Sequence, residues 1–328
     1  MLKKKIIYIL ISLASLLLVI NILIETFASS AEKPVKQELS KKQIERLFIS
    51  SLLDNGISNK WISAKTISGK TFDSLTQVYY VNIPSDLRVV KLIGDISDKL
   101  DKKPVQIEAE EITNHSNSTL KLYSNGILKL QAYLTSTKEV YRESAEITFL
   151  IECIDCSYSE LPHLLNSVTI PYTLLFSPTK DLKNSLDDIK NSIPSFAILI
   201  DDNMDDDQYE LETDASKSKL SRNLINLISD FGRETKYIID DKSAIYNSIV
   251  FPFIRDELSE RKIKTSKLSD FTDLRDKPSD QIRSIFKFHC ENGRGKQLRT
   301  LVVTLDEFFL LQPDIAKFER LGDKFFPL

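Results

Sequence analysis

Glycine is scarce in this chain: there are eight in 328 residues, and none falls in a GxGxxG or GxxxxGK[ST] pattern. Loops that cradle a dinucleotide or a nucleoside triphosphate need those glycines for tight turns and close backbone approach, so the sequence argues against nucleotide-cradling loops of these kinds. Histidine and cysteine are equally sparse, with three of each, and one tryptophan completes the list of rare residues. HExxH, GxSxG and paired CxxC spacing are all absent, which removes the common zinc-protease, serine-hydrolase and zinc-ribbon chemistries. Charge of one sign is also lacking. Forty-four basic residues stand against 47 acidic ones, so the basic excess of a nucleic-acid binder is missing. What is present is an apolar fraction of 42%, enough for packed cores, on a length that suits about two domains.

One long hydrophobic run stands out. Lys3, Lys4 and Lys5 precede an uncharged stretch from Ile6 to Ile24. At about 1.5 Å per residue these nineteen positions nearly match a hydrocarbon core of roughly 30 Å. A secretory signal has the same charge order but a shorter apolar region, and Ser29 and Ala31 leave cleavage open. The length favours an uncleaved anchor. The positive-inside rule then makes residues 1–5 a cytoplasmic stub and residues 6–24 a single transmembrane pass. The bulk of the chain lies outside the cytoplasm, on the periplasmic side of the inner membrane. Residues 25–39, with Pro34 and mixed charges, read as a linker.

Residues 40–140 read as a small α+β domain. Ser40 and Gln43 form a capping-box pattern ahead of Ile44, Leu47, Phe48 and Leu52 at helical spacing, and Asn55-Gly56 ends that helix. Thr76 to Ile83 reads as a strand, Leu87 to Leu100 as an amphipathic helix, and Val105, Ile107 and Ala109 alternate with polar residues as a strand does. Leu120 to Leu134 is a hairpin turning at Asn125-Gly126. His115 lies in a polar loop without metal partners, and two sequons begin at Asn114 and Asn117. Trp61 suits either a local core anchor or a sugar-stacking surface, and burial is the commoner use. The domain is a binding or spacing module.

From Glu146 the pattern changes to alternating strand and helix. The strands are Ile147–Cys153, Thr169–Phe176, Phe196–Asp201, Lys236–Asp240, Ile263–Thr265, Thr300–Thr304 and Lys324–Phe326. The clearest helix carries Leu220, Leu224, Leu227, Ile228 and Phe231; two more are Ile245 to Arg261, kinked at Pro252, and Pro278 to His289. Parallel βα units follow, as a barrel or a doubly wound sheet, and both place ligands at the carboxyl ends of the strands. There the sequence sets Asp155, Asp201, Asp202, Asp240, Asp241, Asp306 and Glu307. Such a carboxylate rim suits a hard cation, a cationic sugar or acid–base cleavage of a glycoside. Aspartate is also favoured in turns and at helix N-caps, where it satisfies free N–H groups. The run Asp201, Asp202, Asp205, Asp206, Asp207 lacks the glycine and spacing of an EF-hand and reads as a solvated loop. Cys153 and Cys156 form a CxxC that suits a simple bridge or buried thiols better than a redox pair, with Cys290 left over.

The segment Ile147 to Pro178, ITFLIECIDCSYSELPHLLNSVTIPYTLLFSP, resembles the opening of the divergent polysaccharide deacetylase family. In that family a hydrophobic strand ends in Asp-Asp-Leu-Gly-Tyr-Ser and a second in Thr-Leu-Ala-Phe-Leu-Pro. Here Ile154 to Ser159 and Thr173 to Pro178 take those places, and Thr300 to Pro327 is similar to the family's closing strand, helix and strand. A register matching Phe196 to Asp202 to the first strand is closer by letter but leaves too few strands. The resemblance covers residues 146–328 and implies a distorted (β/α)7 barrel over residues 141–328. It also implies a deacetylase that holds a divalent metal through an aspartate and histidines. Of the first aspartate pair only Asp155 remains. The family's histidine-bearing strand ends fall at Ile200 to Asp202, at Ile239 to Asp241 and at Thr304 to Asp306, and none keeps its histidine. His163 and His289 lie on helices.

The expectation is therefore a membrane-anchored relative that has lost hydrolysis and binds glycan or an envelope protein, without a cofactor, a nucleotide or nucleic acid. The alternative is an active hydrolase or deacetylase on the carboxylate rim, with Asp155, Asp201, Asp240 and Asp306 as candidate catalytic residues. Such an enzyme would work either without a metal or with a hard divalent metal, for which Asp155, Asp202 and Asp241 are the candidate ligands. A third reading is a structural envelope protein whose N-terminal domain makes the functional contact.

Overall fold

The structure is a computed structural model that describes residues 17, 38–67, 75–101, 103–113, 117–153, 158, 160–204, 206–295 and 297–328. The expected anchor at 6–24 lies outside these, residue 17 apart, as do His115, Asp155, Cys156 and Asp205. Among the described residues no helix is long and apolar enough to cross a membrane. The chain divides into two compact units. The first comprises residues up to 136, except 52–59 and 84–87, which group with the second.

In the first unit, helix α1 (Lys41–Asp54) opens on the expected capping box: Gln43 Oε1 accepts from Ser40 N, and Ser40 Oγ from Gln43 N. Strands β1 (Ile62–Thr66) and β2 (Gln77–Pro84) follow, then α2 (Val89–Leu100), β3 (Val105–Thr113), β4 (Asn117–Ser124) and β5 (Ile127–Thr137). They form a five-stranded sheet in the order β1-β2-β5-β4-β3, in which the β1–β2, β3–β4 and β4–β5 pairs are antiparallel. One face is buried through Val81, Ile83, Leu120, Leu122, Leu130 and Leu134, together with Ile44 and Phe48 of α1 and Leu92 and Ile96 of α2. The hairpin turns at Asn125 and Gly126 with φ of 52° and 72°. Both central residues are thus left-handed, as a type I′ turn requires. Strand β1 escaped the sequence reading because four of its five residues are exposed, so no alternation marks it.

The second unit runs β6 (Glu146–Glu152), α3 (Leu161–Leu165), β7 (Thr173–Phe176), α4 (Lys180–Ser192), β8 (Phe196–Ile200), α5 (Lys217–Phe231), β9 (Lys236–Ile239) and α6 (Phe251–Glu260). It continues with β10 (Thr265–Lys267), β11 (Thr272–Asp273), α7 (Ser279–Asn292), β12 (Arg299–Thr304), α8 (Leu305–Leu321) and β13 (Lys324–Phe325). The strands make one parallel sheet in the order β10-β9-β8-β7-β6-β12-β11, with β13 also on β6. Among the described residues eight strands replace the expected seven, the addition being the two-residue β11. Two expected strands also shift. Thr169–Phe176 is extended only from Thr173, and Ile263–Thr265 becomes Thr265–Lys267, with Ile263 buried in the turn before it. Pro252 does not kink a long helix. It sits in the first turn of α6, where its missing N–H costs nothing, and residues 245–250 form turns instead.

Sheet curvature follows from chain length. In a flat sheet, the six gaps between β10 and β11 at about 4.8 Å each would separate these edges by about 29 Å. Only residues 268–271 connect Lys267 to Thr272, and five fully extended steps of about 3.6 Å reach about 18 Å. Part of that link is a 3-10 turn, Leu268–Asp270, which shortens it further. The sheet must therefore curl until its edges approach. Leu268 and Phe271 of the link fill the hollow with Leu150, Leu175, Ala197, Leu199, Ile238 and Val302. The other face carries Phe149, Ile151, Leu174, Phe176, Ile198, Tyr237 and Val303 against the helices. The unit is thus an α/β fold with a curled parallel sheet, strapped at the seam by a short segment.

Candidate functional site

Side chains alternate across a strand, so the inner face can be followed to each strand's carboxyl end. Thr148 and Leu150 point inward on β6, and Glu152 is next in that row. By the same count Asp201 follows Leu199, and Asp240 follows Ile238. Asp273 pairs in register with the inward Val302. One mouth of the curled sheet is therefore ringed by carboxylates from β6, β8, β9 and β11.

A single guanidinium organises one side of that ring. Arg275 donates from Nη1 to Glu152 Oε1, and from Nε and Nη2 to the two oxygens of Asp273 at 2.9 and 2.8 Å. Hydrogen bonding to Asp273 and the charge of Glu152 hold Arg275 protonated above its ordinary range, against the cost of burial. Burial pushes the Glu152 carboxyl up, only partly offset by Arg275; burial also acts on Asp273, but the Arg275 hydrogen bonds and charge bring it below the usual range.

On the other side, Asp201 is buried, with 6% of its surface exposed, and accepts from Asn203 N and Nδ2 at 3.1 and 2.9 Å. Burial raises its pKa, and the neighbouring Asp240 and Asp202 add to the effect. Asp240 N donates to Ile200 O, so Asp201 and Asp240 stand at adjacent strand ends. Between Asp240, Asp241, Lys242, Leu268, Phe271 and Arg275 lies a cavity of about 240 Å³, over the seam.

The remaining candidates serve the backbone. Asp202 accepts from Ala244 N and Ile245 N at 2.6 and 2.9 Å. Asp241 accepts from Ser269 Oγ and N, which lowers its pKa. Asp206 receives Lys180 N at the start of α4 and Gln208 N, so Asp202 and Asp206 of the acidic run hold backbone N–H groups of helix starts and turns. Glu307 closes a capping box with Thr304 and also accepts from Asp276 N. Asp306 is exposed in the first turn of α8, where a negative charge complements the helix N-terminus. His163 is exposed, and His289 is half-buried on α7 with its pKa lowered by burial and by Arg299. Cys153 is disulfide-bonded and Cys290 is a buried free thiol.

Glu152, Asp273 and Arg275 went unread in the sequence. The period of two that buries Leu150 was the signal for Glu152; a two-residue strand offers no such signal for Asp273. Among the described residues, no group of three histidine, cysteine, aspartate or glutamate side chains could hold a metal ion.

No family model matches this chain, and no curated protein matches it in sequence. Several solved structures are similar to it. The catalytic domain of a peptidoglycan N-acetylglucosamine deacetylase from Eubacterium rectale matches at 13% identity and a TM-score of 0.37, over 58% of this chain and 90% of that one. A carbohydrate esterase family 4 pseudoenzyme from Bacillus anthracis matches at 9% identity and a TM-score of 0.36, over 68% and 88%. A family 4 carbohydrate esterase from Bacillus subtilis matches at 10% identity and a TM-score of 0.34, over 57% and 79%.

Proposed function

We propose that this chain is a membrane-tethered, extracytoplasmic member of the polysaccharide deacetylase group, with a distorted (β/α) barrel that binds glycan at its mouth without metal-dependent hydrolysis. The observation that carries this reading is the state of the mouth carboxylates. Glu152 and Asp273 share Arg275, and Asp202 and Asp241 are taken by N–H and O–H donors. A hard divalent cation needs several anionic oxygens converging on one point, with no fixed cation competing for them. Arg275 occupies that role between Glu152 and Asp273, so the described residues do not fit the metal that the family resemblance implies.

The same groups suit hydroxyl recognition. Asp240, Lys242, Ser269 and Phe271 line a cavity that mixes an apolar wall with donors and acceptors, and its volume suits a single sugar ring. The tether follows from Lys3 to Lys5 ahead of the uncharged residues 6–24.

Asp201 and Asp240 support a second reading. Burial raises the pKa of Asp201, which stands at the strand end next to that of Asp240, and a raised carboxyl beside a second carboxylate is the kind of pair that glycoside cleavage uses. One experiment separates the two readings: incubate the full chain with N-acetylglucosamine oligomers and measure binding, acetate release and new reducing ends, with and without zinc, manganese or magnesium. Binding without either product is expected. Metal-dependent acetate release would overturn the proposal, and metal-independent reducing ends that vanish in Asp201→Asn would establish the second reading.

A further inference from the structure

The open face of the five-stranded sheet in the first unit has a composition that burial does not explain. Alternation leaves Tyr80 on β2, Gln131 and Tyr133 on β5, and Lys121 and Tyr123 on β4 on the side away from α1 and α2. Tyr80 is 37% exposed in the whole chain, and its ring stacks on that of Tyr133, with centroids 5.2 Å apart and planes at 27°. Gln131 Nε2 donates to Tyr133 Oη at 2.9 Å, which fixes the second ring. The register sets Gln131 beside Lys121 and Lys121 beside Glu108, so polar groups continue the row across β4 and β3.

We infer that this face is a binding platform for a neutral glycan chain. A pyranose ring presents an apolar face of C–H groups and a rim of hydroxyls. The outer surface of the Tyr80–Tyr133 stack, with Tyr133 held by Gln131, matches the first, and an amide flanked by charged groups matches the second. Charge balance selects among polymers. Lys65 and Lys121 offset Glu108 and Glu110 on this face, with Lys121 and Glu110 paired at 3.4 Å. A single nucleic-acid strand would need a basic groove beside the aromatic rings, and an anionic glycan would meet the two glutamates. A protein partner or second copy would need a wider apolar core than Tyr80, Tyr123 and Tyr133 supply between charged and amide groups. Lys65, whose Nζ lies 4.9 Å above the Tyr80 ring, is an exposed, flexible side chain that a sugar can displace.

The inference rests on the glycan-binding reading above but places the polymer on a different surface from the barrel mouth. The test is titration of the full chain in detergent with the N-acetylglucosamine hexamer, read by calorimetry, for wild type, Tyr80→Ala/Tyr133→Ala, Tyr80→Phe/Tyr133→Phe, Gln131→Ala and Asp240→Ala. The inference expects a tenfold or larger loss of affinity in the double alanine variant, about threefold in Gln131→Ala, and near wild-type affinity with phenylalanine. Gln131→Ala keeps both rings and so covers a double variant that fails to fold. Wild-type affinity in the tyrosine and glutamine variants, with loss confined to Asp240→Ala, would overturn this inference and leave the barrel reading intact. Absence of binding in the wild type would overturn both. Loss of dimerisation, or of oligonucleotide binding, in place of hexamer binding would also overturn it.

Discussion

Arg275, two positions past the edge strand β11, lays its guanidinium on Glu152 two strands away, and β12 passes between their strands in the sheet. The pair links the last edge strand of the curled sheet to a central one, and Asp273 completes the clamp. Removing one partner of such a pair leaves a carboxylate with little access to water and no counter-charge, which costs about 3 kcal/mol. Arg275→Met is expected to destabilise the second unit by about that amount in urea unfolding, and adding Glu152→Gln to restore a part of it. Equal losses in the single and double variants would show that Glu152 is not what Arg275 holds.

The pH dependence of stability has a definite sign at Asp201. Its folded pKa is raised, chiefly by burial, so the folded chain holds this proton more tightly than the unfolded chain. The favourable contribution is complete below the ordinary carboxylate value of 3.8 and is lost as pH rises through the raised folded value. Asp201→Asn keeps the acceptor for Asn203 N and removes the charge. The variant is expected to be more stable than wild type at pH 7.5, with the difference shrinking at pH 4, measured by urea unfolding at both values. A pH-independent difference would mean that the charge at Asp201 is not what burial penalises.

The caps at the mouth separate structural acids from the site. Glu307 takes two backbone N–H groups, from Thr304 and Asp276, whereas Asp306 makes no such contact among the described residues. Glu307→Ala is expected to cost about 1–2 kcal/mol of stability, and Asp306→Asn less than about 0.5 kcal/mol. Thermal unfolding of the two variants side by side checks the order.

The turn of the β4–β5 hairpin gives a purely backbone test. Gly126 has φ of 72°, and a Cβ placed there meets nothing within 4 Å. Gly126→Ala is therefore expected to cost about 1 kcal/mol through left-handed strain alone. A larger loss would show an unnoticed contact at this tip.

Much of this architecture was readable because hydrophobic period and turn chemistry agree. The Ser40–Gln43 box, the Asn125-Gly126 turn and the run from Leu220 to Phe231 each carry a local reason for their form, and each is found. Local signals failed where structure is imposed by distant partners. Strand β1 is extended because β2 pairs with it, and its own residues are mostly exposed. Pro252 read as a kink because the aromatic and apolar residues before it mimic a helix, yet those residues form turns whose N–H groups Asp202 receives from another strand end. The site was half readable for a similar reason. Asp201 and Asp240 stand just past recognisable strands, whereas Asp273 and Arg275 follow a strand two residues long, and only the curled sheet brings them to Glu152.

On the proposed reading, N–H donors led by Arg275 hold the mouth carboxylates in place of a divalent cation. The most direct measurement is the metal content of the purified full chain after exposure to zinc, manganese and magnesium in turn. The account expects metal far below one ion per chain in every case, unchanged in Asp240→Ala. Near-stoichiometric metal that is lost on Asp155→Ala or Asp240→Ala would contradict it and put a metal site at the mouth of the curled sheet.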